Sequence, residues 1–418
     1  MTNYVSSNSK AWLTVFLILI LFKPTPSVLL GSEIGMKIPD LIFITFLSLY
    51  LLIENKKIKI NNMLVFLFVI FVFEIISQFN GMIYGNNILI NDFVDLLLPL
   101  EVTLGFLVGC VYFASNENAK IRSIDRKIII LFILFSFIIF FDPLSIKSVL
   151  SNFYELGKSR GHSEENVSNI WRLSSTFTNP NYFGFFCSVV AAYYLYKNIE
   201  SLSFFNVMMF IAFSIFVFIS GSRTSLISML LAFTSVIFID FYTKGVGTKG
   251  RVVFYTTLSI LIIFLVPKAV DLVGEILWRF TNVDNMKESF GARLGAWEST
   301  FVSIQQHALI GVGSNKMEVK SIDSNYVLIL YKNGLVGLFL KLAFLTYMLK
   351  MSVTNIKKNI NNDKGRSAIN MLSVISIIVT TIAMITAIPL SMVHLAVPQS
   401  VIFGYVYQEY RYWGRCGC

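Results

Sequence analysis

The residues best suited to chemistry are arginines in the stretches that connect apolar runs: Arg160, Arg172, Arg223, Arg279 and Arg293. A guanidinium presents a rigid fork of donors that matches the oxygens of a phosphate. Arg223 is the most informative of them. It stands in Gly221-Ser222-Arg223-Thr224, a tight turn between two apolar runs, with Ser222 and Thr224 hydroxyls on either side. A cation so close to hydrocarbon is either a side chain reaching out to the interface or a clamp on a phosphorylated ligand. Arg172 opens a second run, Arg172-Leu173-Ser174-Ser175-Thr176-Phe177-Thr178-Asn179-Pro180-Asn181. Apart from Arg172 this run is uncharged and rich in hydroxyls and amides. Asn179 and Asn181 could serve a sugar, or Asn179 and Pro180 could simply start the next helix. Arg293 lies in Gly291-Ala292-Arg293-Leu294-Gly295-Ala296-Trp297, as a phosphate ligand or as a plain surface cation.

A transfer from a diphosphate leaving group to a hydroxyl also needs a base for the hydroxyl proton and positive charge for the leaving group. Asp323, in Asp323-Ser324-Asn325-Tyr326, is the first choice of base, with helix capping as its alternative. His307, ahead of Ile310-Gly311-Val312-Gly313, is the second. Asn325 and Tyr326 add neutral hydrogen-bonding groups beside Asp323. His162 reads as a bland loop residue. Three dispersed histidines leave no metal cluster, and no phosphate-cradling loop or dinucleotide fingerprint is present. No cofactor is expected, and energy must come from an activated substrate or an ion gradient.

The elements that position these residues must cross a membrane. The chain is 55% hydrophobic, 15% aromatic and 14% charged, with a mean hydropathy of +0.70. A soluble chain carries roughly 25% charged residues. Apolar runs of about 17 residues or more recur, enough to cross a hydrocarbon core about 30 Å thick. Backbone groups in lipid must be paired within the segment, so these runs are helices, and the alternation of a β-barrel is absent. Twelve spans are expected, near 11–30, 38–54, 63–80, 93–113, 127–146, 181–197, 204–221, 224–242, 251–268, 325–349, 368–389 and 393–409. The first reads as an uncleaved helix, because Lys23 and Pro24 follow it in place of a small-residue cleavage site.

With both termini cytoplasmic, more than half of the 34 Lys and Arg residues fall on the inner side, and the short outer turns hold almost none. The net charge of +10 is therefore a matter of topology, and nucleic acid is not expected as a partner. Residues 1–418 form one polytopic domain with two long outer loops, 147–180 and 269–324. The second holds Trp278, Phe280, Phe290, Trp297 and Phe301, too many aromatics for disorder, and should form short interfacial helices, near 294–306 in particular. Asp40, Glu74, Asp95 and Glu101 fall in or near spans, where a transporter could use a carboxylate for proton coupling. Cys110 and Cys187 read as packing residues, and the Cys416-Gly417-Cys418 tail has no legible role.

Four motifs in order, Arg172 to Gly184, Ser220-Gly221-Ser222-Arg223-Thr224-Ser225, Arg293 to Trp297 and Ile310-Gly311-Val312-Gly313, resemble the O-antigen ligase/polymerase superfamily over residues 165–345. That resemblance implies a metal-independent, inverting glycosyltransferase of GT-C-like fold in a bacterial inner membrane. It implies an undecaprenyl-diphosphate-linked oligosaccharide as substrate, used on the periplasmic side, and a chain-length regulator as a protein partner. Arg172, Arg223 and Arg293 would touch the diphosphate. The ligases of the family carry a His-Asn type pair, nine residues and then G-x-x-G. Here the same spacing reads Asp323-Ser324, nine residues, Gly334-Leu335-Val336-Gly337. This departure favours an O-antigen polymerase over a ligase. A flippase for lipid-linked oligosaccharide is the rival that is not an enzyme, and a capsule or exopolysaccharide polymerase would use the same chemistry.

Overall fold

The computed structural model describes residues 62–84, 95–115, 126–141, 173–177, 179–244, 283–314, 322–359, 364–391 and 393–415, with a few further positions at 21–22, 42, 44–46, 49–50 and 92. Among these residues the chain is helical, with no strand. Ten α-helices run in the order α1 (Asn62–Ile83), α2 (Leu97–Ser115), α3 (Arg126–Phe141), α4 (Pro180–Glu200), α5 (Phe204–Ile219), α6 (Arg223–Lys244), α7 (Val283–Gln306), α8 (Asn325–Asn359), α9 (Lys364–Ala383) and α10 (Val393–Arg415), with a short 3-10 turn at Pro389–Ser391 before α10. All except α7 fall on spans expected from hydropathy. The other expected spans, near 11–30, 38–54 and 251–268, lie almost wholly outside the described residues. Helices α1, α6, α8 and α9 are long and apolar enough to cross a membrane. Helix α7 covers the surface segment expected near 294–306 but begins more than two turns earlier.

Apolar side chains divide the bundle into two packed halves. Phe132 of α3, Phe183 and Phe186 of α4, and Phe213 and Phe216 of α5 interlock with ring centroids 5.4–6.4 Å apart. The second half joins α1, α2, α8 and α10. Helix α9 lies between them, since 78% of its apolar window is buried against 28% for α1. Between α2 and α10 the backbones touch. Any side chain at Gly109 would run into the Val401 carbonyl and the Tyr405 N–H, and Gly404 meets the Phe106 carbonyl in the same way. Small residues that let helices approach this closely drive association where lipid is as apolar as the side chains. Gly109→Val should therefore part α2 from α10 and cost roughly 3 kcal/mol. A lower thermal midpoint of the protein in detergent is the expected reading, and an unchanged midpoint would count against this contact.

Polar side chains along α9 tie its neighbours together. Asn370 donates to the Glu409 carboxylate at 2.7 Å, as does Asn359 of α8. Ser352 donates to Ser373 at 2.8 Å, and Gln399 donates to Thr380 at 3.2 Å. Buried polar groups in an apolar bundle must find such partners, and they fix helix register in doing so.

Helix α8 is broken. Gly334 has φ 62° and ψ −167°, which ends the helical ladder in mid-span. The freed groups are paired by the loop after α7. Val312 and Gly313 N–H donate to the Tyr331 and Lys332 carbonyls, and Leu335 and Val336 N–H donate to Ala308 and Leu309. Gln78 and Asn80 of α1 hold the same loop, through Ser314 N–H and the Gly311 carbonyl. Irregular backbone is tolerated at such depth only when it is enclosed by protein in this way. The Gly311-Val312-Gly313 motif is thus the partner of the helix break, with positive φ at both glycines.

The two ends of the bundle differ. At one, basic residues lie over aromatic rings: Arg126 over Phe205, Lys357 over Tyr242 and Arg366 over Phe113. At the other end the starts of α4, α6 and α8 meet the end of α9.

Candidate functional site

Four stretches form this second end, and each has a local reason for its shape. Helix α4 begins at Pro180 because Asn179 caps it, its side chain accepting from Asn181 N–H at 2.8 Å. Helix α6 begins at Arg223 because the Ser222 hydroxyl accepts from Ser225 N–H at 3.2 Å. The turn before it places Gly221 at φ 59°, a left-handed conformation that glycine adopts without strain. Helix α8 begins at Asn325, with Ser324 as the residue whose carbonyl accepts from Leu328 N–H. Asp323 precedes that position and is exposed.

Hydrogen bonds join the four stretches. Ser225 donates to the Asn181 carbonyl at 3.2 Å, and Ser188 donates to the Ser225 carbonyl at 2.9 Å. Gly184 is the close point between α4 and α6, because a Cβ there would meet the Ser225 and Ser220 hydroxyls at 2.6 and 2.7 Å. Leu173 N–H donates to Ile219, which anchors the stretch that follows Arg172 beside the Ser220-Gly221 turn. From α8, Asn325 N–H donates to the Met384 and Ala387 carbonyls, and Tyr326 donates to Thr381. Thr386 donates to Thr224 at 2.7 Å. The Tyr182 hydroxyl is hydrogen-bonded to the backbone of Ile388 and lies within electrostatic reach of Asp323.

Three helix N-termini therefore open on one place, with half-buried Arg223 in the first turn of α6. Each N-terminus presents the positive end of a helix dipole, while Asn181, Ser225 and Asn325 N–H are taken up by Asn179, Ser222 and Met384. Such an arrangement favours an anion, and a phosphate most of all. Asp323 adds one carboxylate at the rim. Asn179, a candidate for sugar contact or helix start, and Ser222, a candidate beside the Arg223 clamp, have their side-chain oxygens engaged in starting α4 and α6. Asn179→Ala should accordingly cost about 1 kcal/mol of stability. A thermal midpoint unchanged by that substitution would contradict the capping role.

The remaining candidates are placed elsewhere or lie beyond description. Arg172 is outside the described residues, as are Arg160, His162 and Arg279. Arg293 lies on α7, one turn before Trp297, which packs with Val312, Val327 and Tyr331, but the Arg293 side chain is outside what is described. His307 stacks on Tyr84 with ring centroids 4.2 Å apart, beside the break in α8. That break is about 14 Å along the helix from its start, so His307 and Asp323 occupy different places. Of the membrane acids, Glu74 is paired with Lys341 at 2.7 Å and Asp95 with Lys332 at 2.6 Å. Among the described residues no group of three His, Cys, Asp or Glu gathers that could hold a metal ion. Sequence reasoning missed the Met384–Ile388 stretch and Tyr182. The hydroxyls of Thr380, Thr381 and Thr386 in an otherwise apolar run were the available signal.

Residues 208–342 match the family model described as O-antigen ligase. Over that stretch, about a third of the chain, the sequence is similar to the O-antigen ligase family. The four described helices that are long and apolar enough to cross a membrane fit an α-helical membrane protein. The stretch shared with the superfamily covers the Ser220–Thr224 turn, α6, α7, the Gly311-Val312-Gly313 loop, Asp323 and the broken part of α8. The start of α4 and the Met384–Ile388 stretch lie outside it. No curated protein is similar enough to the chain to count as a match.

Proposed function

We propose that the chain is an O-antigen polymerase, a glycosyltransferase acting at the periplasmic face of a bacterial inner membrane. The observation that carries this reading is the convergence of Arg223 and three helix N-termini beside Asp323. The donor is the growing glycan on undecaprenyl diphosphate, and the acceptor is a single lipid-linked repeat unit. The acceptor hydroxyl attacks the anomeric carbon as the bond from that carbon to the diphosphate oxygen breaks. The electron pair leaves on the diphosphate, where Arg223 and the helix N-termini receive the charge, with Arg172 and Arg293 as further ligands. Asp323 takes the hydroxyl proton. The anomeric configuration inverts, and no metal or cofactor takes part. Asn181, Thr224, Asn325 and Tyr326 serve the sugars or the phosphate oxygens, and a chain-length regulator is the expected protein partner. Twelve spans with both termini in the cytoplasm put the site on the periplasmic side.

The ligase is the second reading, favoured by the description of the matched family. Asp323 supports the polymerase, because it stands where ligases of the superfamily carry a histidine. Deletion of the gene followed by gel analysis of the lipopolysaccharide separates the readings. A core bearing one repeat unit identifies a polymerase. Bare core with polymer accumulating on undecaprenyl diphosphate identifies a ligase, and bare core with single units trapped inside identifies a flippase.

A further inference from the structure

The stretch from Met384 to Ile388, which links α9 to the turn before α10, touches every helix start at the site. Its backbone contacts have an ordinary cause. The last carbonyls of α9 and the first N–H groups of α8 lack partners within their own helices and pair with each other. Thus Asn325 N–H reaches Met384 and Ala387, and Ser324 donates to the Met384 carbonyl at 3.1 Å. The contact from Thr386 needs a different explanation. Its hydroxyl is half-buried and donates to the hydroxyl of Thr224, 162 positions away, at 2.7 Å. Thr224 follows Arg223 in the first turn of α6, where its backbone needs no help from another span.

We propose that Thr386 is a positioning residue for the glycosyl transfer, which orients the Thr224 hydroxyl to donate to the leaving diphosphate beside Arg223. The assignment rests on the polymerase reading above. By donating to Thr224, Thr386 occupies a lone pair of that oxygen and directs its hydrogen away, toward the space that Arg223 borders. Two hydroxyls in series polarise one another, so the second is a stronger donor than a lone hydroxyl. The bond forms only when the end of α9 is docked against the start of α6. The α9–α10 connection thereby becomes a fourth wall of the site, contributed from outside the stretch shared with the superfamily.

The test uses the full-length protein in membranes or nanodiscs with lipid-linked repeat units, following polymer formation against donor concentration. Thr386→Val keeps the branched shape and removes the donor. It should lower kcat about tenfold, the worth of one hydrogen bond made in the transition state, with KM little changed. Thr386→Ser should recover most of the rate, and Thr224→Val should cost no more when combined with Thr386→Val than alone. Normal kcat in Thr386→Val overturns the assignment. So does a loss that Ser does not rescue and that accompanies a lower thermal midpoint, because that marks a merely structural threonine. Arg223→Ala run in parallel keeps the two levels apart. If it is inactive while Thr386→Val is normal, only the Thr386 role falls, and if both are normal the functional reading falls with it.

Discussion

Arg223→Ala abolishes long glycan while the protein remains in the membrane at its normal level. The expected loss is large because the proposed mechanism sets the arginine where charge develops. It opens α6, so on the proposed reading its guanidinium and the dipole of that helix start act on the same anion. Removing one such preorganised donor lowers turnover by roughly 10²–10³-fold. Arg223→Lys should restore only part of the rate, since an ammonium keeps the charge but lacks the two-pronged fork. Gel analysis of the lipopolysaccharide reads the glycan length, and an immunoblot of isolated membranes reads the amount of protein. Normal-length polymer from Arg223→Ala would refute the clamp.

Asp323→Asn gives the second large effect, a fall in turnover of about 10²–10⁴-fold, the contribution of a well-placed general base. The amide keeps the shape and loses the proton acceptor. Asp323 lies just ahead of the first turn of α8 and within electrostatic reach of Tyr182, while the capping position belongs to Ser324. The substitution should therefore leave the fold and donor binding intact. His307→Ala is the contrasting variant. His307 stacks on Tyr84 beside the break in α8 and is expected to leave turnover within a few-fold of normal. A fully active Asp323→Asn, or an inactive His307→Ala with intact folding, would move the base to His307.

Both effects come from residues that sequence chemistry alone had singled out, but the geometry re-sorted their companions. Asn179, read as a sugar contact or a helix start, and Ser222, read as a hydroxyl beside the Arg223 clamp, each place a side-chain oxygen at a helix start. That outcome has a simple cause, because the short polar side chains that suit a sugar also suit the free N–H groups of a helix start. Gly311 and Gly313 were legible as a motif and not as a mechanism. Their purpose, to approach a helix broken at Gly334, depends on a contact between α8 and the loop ahead of it. The acids in the membrane raised the prospect of proton coupling. Glu74 is paired with Lys341 and Asp95 with Lys332, across segments far apart in the chain.

What the amino-acid order determined by itself is the apolar helical class, the position of the described apolar helices and the residue types available for phosphate and sugar chemistry. These follow from hydrocarbon thickness and backbone pairing, which act on each segment separately, so a local reading suffices. Which residues share a site was decided only by tertiary structure. Thr386 meets Thr224, and Tyr182 meets Ile388, because helix packing sets the angle and depth at which chain ends arrive. Those are set in turn by close contacts such as Gly184 against Ser225 and by buried pairs such as Asn370 with Glu409. No periodicity along the chain encodes a distance between its spans.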